Sequence, residues 1–117
     1  GGIVMFDVNF YRSVLPWWIK TQCEGKPEGI PVVELRLADG AVLDLCHVVN
    51  LAEQWMAVSH FRDVTNCDEM DMAFVRLETV MRIDLSMHDP KSRRIGFDVT
   101  RVPAAGVPGS VPVENRQ

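Results

Sequence analysis

The stretch VVELRLADGAVLDLCHVV, residues 32–49, constrains the fold of this chain more than any other. Val33, Leu35 and Leu37 alternate with Glu34 and Arg36, which is the period of a strand buried on one face only. Asp39-Gly40 ends the alternation, and both residue types accept the positive φ angles of a tight hairpin turn. The return run from Val42 to Val49 is apolar almost throughout. Such a strand is covered on both faces or pairs with another chain.

What else the chain can be is bounded by its size and charge. Its 117 residues suit one domain with a core large enough to fold without disulfides or metal. A hydrophobic share of 47% with 24% charged residues is that of a globular protein. Sixteen acidic against twelve basic residues leave a net charge of −4, opposite in sign to the footprint of a dedicated nucleic-acid binder. Cys23, Cys46 and Cys67 form an odd set without CxxC spacing. Neither a disulfide framework nor a zinc site is therefore expected, and a reducing cytoplasm is the simpler location. No apolar run is long enough to span a membrane, so no membrane association is expected.

Before the hairpin, DVNFYRSVLPWWIKTQ has apolar residues at helical spacing over about residues 7–20. Phe10, Val14 and Trp17 share one face, with Tyr11, Leu15 and Trp18 beside them. Asp7 or Asn9 supplies a cap, and Pro16 predicts a break near Leu15 because it removes a backbone donor. EGKPEGIP, 24–31, reads as a loop. After the hairpin, a turn over 51–54 and a strand from Trp55 to Phe61 compete with a helix started by Asn50 and Glu53; the alternation favours the strand. Residues 63–71 form an acidic connection. The segment 73–86 reads as strand from its β-branched content, although Phe74, Leu77 and Met81 also fit a helical stripe. HDPKS turns the chain, and Ile95, Phe97 and Val99 alternate as a last strand. From Pro103 the sequence is rich in proline and glycine and is expected to be a flexible tail. The organisation expected is one domain over 1–102, with strands over about 31–100 and a tail over 103–117.

A helix followed by five or six short strands, the first two joined by Asp-Gly, resembles the small open β-barrels of the Sm-like and SH3-like class. VELRLADG matches the first strand and turn, AVLDLCHVV the long bent second strand, WMAVSHF the third, and FVRLETVMRIDL the last two, covering about residues 32–85. The resemblance implies a mainly β fold and assembly through strand edges, since such barrels often pair end strands between subunits to make rings. It does not carry over the RNA pocket of Sm-like proteins. Asp44-Leu45 stands where they place a glycine in the second strand, and the basic residue beside a glycine in their second motif has no counterpart in FVRLETVMRID.

Chemistry-bearing clusters are few. Cys46 and His47, as strand neighbours, are expected to face opposite ways. Adding His60, Asp63 and Cys67 matches no established zinc spacing, so no metal is assigned. A cysteine nucleophile would need Cys46 or Cys67 beside His60 or His88 with a third group orienting the base, and no local motif supplies it. No catalytic residue and no cofactor is assigned, and CDEMD lacks the spacing of a calcium loop. Trp17 and Trp18 cannot both face one core; one is expected on the strands and the other exposed as an anchor for a partner. Tyr11 and Trp55 join them as candidate ligand- or partner-binding aromatics. Lys91, Arg93 and Arg94 make the densest basic stretch and are the candidate phosphate site. The expectation is a non-enzymatic, homo-oligomeric interaction module binding a protein or small ligand. An Sm-like RNA binder and a small metal protein or enzyme using His and Cys residues are the alternatives.

Overall fold

A computed structural model describes residues 3–101 and the backbone of residues 104 and 105. The chain is helical over residues 8–25, and the helix begins as Asp7 Oδ1 accepts the Phe10 N–H at 2.9 Å. Pro16 does not break it. Phe10–Val14 instead takes one π-helical stretch, in which the Leu15 N–H reaches back to the Phe10 carbonyl, before the α-helix α1, Leu15–Gly25. The wider turn absorbs the donor that proline lacks. The helix also runs past the expected end at Lys20, until Gly25 and Pro27 stop it.

Five antiparallel strands follow: β1 (Ile30–Leu37), β2 (Val42–Leu51), β3 (Trp55–Phe61), β4 (Met70–Arg76) and β5 (Val80–His88). Neither the helix started by Asn50 and Glu53 nor the helical stripe of Phe74, Leu77 and Met81 occurs; the only helical residues over 50–86 are the 3-10 turn Leu77–Thr79 between β4 and β5. The sheet runs β4-β3-β2-β1-β5, so the last strand returns to pair with the first. Asp39 Oδ1 accepts the Ala41 N–H and Gly40 takes φ 91°, which makes the hairpin turn as its residues require. β4 and β5 are the two edges, and the sheet does not close into a barrel.

Register slips make β2 irregular. Its pairing with β3 shifts between Leu45 and His47 and again between Val48 and Asn50, and extra residues of this kind bend and twist a strand. β2 pairs with β1 only at Val42, Leu43 and Asp44, after which the two part. The segment expected as a final strand, 95–99, is not one. It crosses the opening as an irregular strap, with the Phe97 N–H donating to the Pro31 carbonyl at 2.8 Å and the Asp98 N–H to the Cys46 carbonyl at 2.7 Å. Phe97 and Val99 still pack on the main core, whereas Ile95, the first residue of the same alternation, is 41% exposed. Beyond the strap, Ala104–Ala105 add a short strand, β6, parallel to Asn50 and Leu51. These two residues lie in the segment read as tail; the rest of 102–117 lies outside the described residues.

The core sits between the helix and the inner face of the sheet. Val33, Leu35, Leu45, Met56, Val58 and Val75 meet Tyr11, Leu15 and Ile19, which follow one another at i, i+4 spacing. Tyr11 is therefore core, only 2% exposed, and its hydroxyl has no hydrogen-bond partner among the described residues. It is not available to a ligand as the sequence reading expected. Burial, reinforced by the Asp7 charge, pushes the phenol's pKa up. Removing the unsatisfied hydroxyl should help, so Tyr11→Phe is expected to raise stability by about 1 kcal/mol, read as a shift in the urea midpoint at unchanged slope.

Candidate functional site

On the same helix, Trp17 points away from this core and Trp18 flanks it, and the two are 58% and 49% exposed. Neither belongs to the buried core, where the helix is represented by the i, i+4 row of Tyr11, Leu15 and Ile19. The rings instead lean on each other edge to face, with centroids 4.8 Å apart. Trp55 lies elsewhere, half-buried on β3 with its ring 6.2 Å from that of exposed Phe74 on β4. The four candidate aromatics thus do not form one site: two share a helix surface, one flanks a sheet edge and one is buried.

The basic stretch is also divided. Arg93 is 7% exposed and donates from both terminal nitrogens to the Asp44 carboxylate, at 2.8 and 2.7 Å. Its Nε donates to the Ile95 carbonyl, and its guanidinium lies 5.3 Å from the centre of the Phe61 ring. Each of its nitrogens therefore already has a partner, and the Asp44 hydrogen bonds hold its pKa above the ordinary arginine value. Arg94 pairs with Asp68 and donates to the Asn66 carbonyl. Lys91 remains exposed and lines an open hollow of about 770 Å³ together with Lys26, Glu28, His88 and Asp89. A bound phosphate could draw on Lys91 but would have to displace carboxylates to reach the two arginines.

The strap brings one further group together. The register slip in β2 allows Cys46 and His47, expected to diverge, to meet with Nδ1 and Sγ 3.4 Å apart. The far ring nitrogen, Nε2, lies 3.1 Å from the Arg101 guanidinium, which can only donate. Nε2 is therefore the acceptor, and the ring proton is assigned to Nδ1, facing the sulfur. Arg101 is held in turn by Asp98, whose Oδ1 also accepts from Thr100. Burial first, and then Arg101, push the His47 pKa below its ordinary 6.5, against an opposing pull from Asp98. Burial pushes the Cys46 thiol up. A neutral imidazole whose outer nitrogen faces a cation is poorly placed to take a thiol proton, because an activated cysteine needs its base steadied by an anion or neutral acceptor.

His47 should make stability depend on pH. With its folded pKa depressed, the unfolded chain binds the proton first as pH falls below about 6.5, so stability declines from there until the folded imidazole also titrates. His47→Gln is expected to flatten that part of the profile. Urea midpoints of both proteins at neutral and mildly acidic pH provide the check.

Of the remaining candidates, Cys67 shares a small buried cluster with Cys46 and Phe61, and its N–H donates to the Asp63 carbonyl at 2.9 Å. The Cys67 thiol donates to the Val64 carbonyl in a turn where Cys67 itself takes φ 58°, and His88 Nε2 lies 3.1 Å from Ser86 Oγ. Among the described residues no group of three or more His, Cys, Asp or Glu is placed to hold a metal ion. No helix among them is long and apolar enough to cross a membrane.

Fold and surfaces together define a small mainly β protein: one helix on the inner face of a five-stranded antiparallel sheet, and a strap across the opening between its first two strands. Comparison with known proteins finds no matching family model, no matching curated protein and no matching solved structure.

Proposed function

We propose that this protein is a non-enzymatic interaction module, a homo-oligomer of small β domains that holds a protein or small ligand on its exposed helix face. The observation that carries this reading is the Trp17–Trp18 pair. Two tryptophans half in water are costly to maintain, and stacking edge to face leaves them pre-arranged to bury against a partner. The arrangement at Cys46 and His47, with its cation in place of an anion, supports a non-catalytic role. The three free cysteines fit a reducing cytoplasm.

The small-barrel kinship draws support from the helix that precedes the strands, the Asp39-Gly40 hairpin, the irregular second strand and the return of β5 to β1. An RNA-binding version is the weaker one, because Arg93 and Arg94 are already paired with Asp44 and Asp68.

Trp17→Ser/Trp18→Ser is expected to leave stability within about 0.5 kcal/mol of the parent, as exposed changes do, while removing bound species. Native mass spectrometry of the full chain as purified provides the test. Multimers in the parent, and loss of bound partners in the double variant, support the reading. A monomer carrying a metal or small molecule would count against it, as would a double variant that keeps its assembly state and everything bound to the parent.

A further inference from the structure

The two edges of the sheet differ in what they show to solvent. On the outer face of β4, Met70, Met72 and Phe74 are exposed, Phe74 to 71% and Met72 to 56%, while Ala73 and Val75 turn inward to the core. On β5 the outer face is polar. Arg82 and Asp84 stand opposite Arg36 and Glu34, Asp84 accepts from both Arg36 and Arg82, and Ser86 and His88 continue the row. Alternate backbone N–H and C=O groups of an edge strand point away from its single neighbour and offer themselves to another strand.

From this mismatch we propose that two copies of the chain pair through β4 itself, antiparallel about Ala73. This inference rests on the homo-oligomer reading above and specifies the edge. A second copy's β5 laid on β4 would set Met72 and Phe74 beside Arg82 and Asp84, charges already satisfied by their own neighbours. A second copy's β4 sets Met72 opposite Phe74 and Phe74 opposite Met72, an apolar strip of four side chains in which thioether and ring make a favourable contact. On the inner face the same register brings Ala73 against Ala73, where two methyl groups leave room for the backbones to approach. Arg76 falls opposite Met70, along which its aliphatic stem can lie. Asp71, already gripped by Arg62, lies on the inner face, outside the strip, and falls opposite Val75 of the second copy.

Pairing of like edge with like edge uses the same surface on both copies and closes at two. Pairing of β4 with β5 leaves a free edge on each side and continues into a ring or filament. The mass therefore separates them: the expected particle is twice the 13.2 kDa chain. One strand edge and two apolar side chains per copy bury less than the roughly 800 Å² per partner of a standard interface. Dissociation on the order of micromolar is accordingly expected.

The test is sedimentation velocity on the full chain from low micromolar to submillimolar concentration, with Phe74→Asp on β4 and Met81→Asp, an exposed residue of β5, as variants. The expected result is a monomer–dimer equilibrium that Phe74→Asp weakens at least about tenfold and Met81→Asp leaves unchanged. Met72→Lys, on the same face, should repeat the Phe74→Asp effect and guards against a folding defect peculiar to one variant. An assembly indifferent to both β4 variants, or lost in Met81→Asp, overturns pairing through β4 and leaves the homo-oligomer reading standing. A parent monomer at every concentration overturns both.

Discussion

Replacing Arg93 with alanine is expected to lower the unfolding free energy by about 3–5 kcal/mol, the largest effect of any side chain outside the apolar core. Arg93 and Asp44 are nearly removed from water and joined by two short hydrogen bonds. Deleting the cation leaves a carboxylate on the outer face of β2 with neither solvent nor partner. It also loosens the strap, because Arg93 ties the turn after β5 to Asp44 near the start of β2. The thermal midpoint should fall by at least about 12 °C. A double replacement, Arg93→Met with Asp44→Leu, removes both charges together and is expected to recover most of the loss, since well-packed apolar groups often replace a buried ion pair without penalty. Calorimetry on the three proteins decides the matter. A loss below about 1 kcal/mol in the single variant would place the pair among exposed ion pairs of little consequence.

Gly96→Ala is expected to cost about 2–4 kcal/mol, from overpacking together with the loss of one or two hydrogen bonds. A methyl group at that position would stand 2.0 Å from the Pro31 carbonyl oxygen and 2.8 Å from Ile30 Cγ2. Neither can yield easily, because Pro31 belongs to a paired strand and its carbonyl is the acceptor for Phe97. The strap must lift, which weakens the bonds from Phe97 and Asp98 that fill the opening between β1 and β2. The alanine and arginine variants therefore act on one element. Their combined loss should fall short of the sum by about 1 kcal/mol or more, whereas two independent sites would add.

The two variants also mark where the sequence was legible and where it was not. Asp44 interrupts the apolar run VLDLCHVV, and a charge there requires a partner; that requirement is visible in the sequence. The partner lies 49 residues away, in a basic stretch that local reading takes for a solvated phosphate site. Nothing in the composition of KSRR separates the arginine that is buried from its exposed neighbours. The same holds on the helix. Its periodicity and proline were plain, yet the single π-helical stretch and the i, i+4 row decided that Tyr11, Leu15 and Ile19 go inward while both tryptophans stay out. Cys46 and His47 meet only because β2 slips register, and strand alternation taken alone sets them apart.

The sequence by itself determined the local elements of this protein: the Asp39-Gly40 hairpin, the strand at Trp55–Phe61, the cap at Asp7 and the alternation that sends Phe97 and Val99 to the core. Each depends on residues within a few positions of one another, where backbone sterics and the periods 2 and 3.6 act directly. Only the tertiary structure decided that β5 returns to β1, that the last apolar segment becomes a strap instead of a strand, and that Arg93 is sealed against Asp44. Those outcomes depend on which surfaces are left uncovered once the sheet has bent, and desolvation at such surfaces is set by residues distant in the chain.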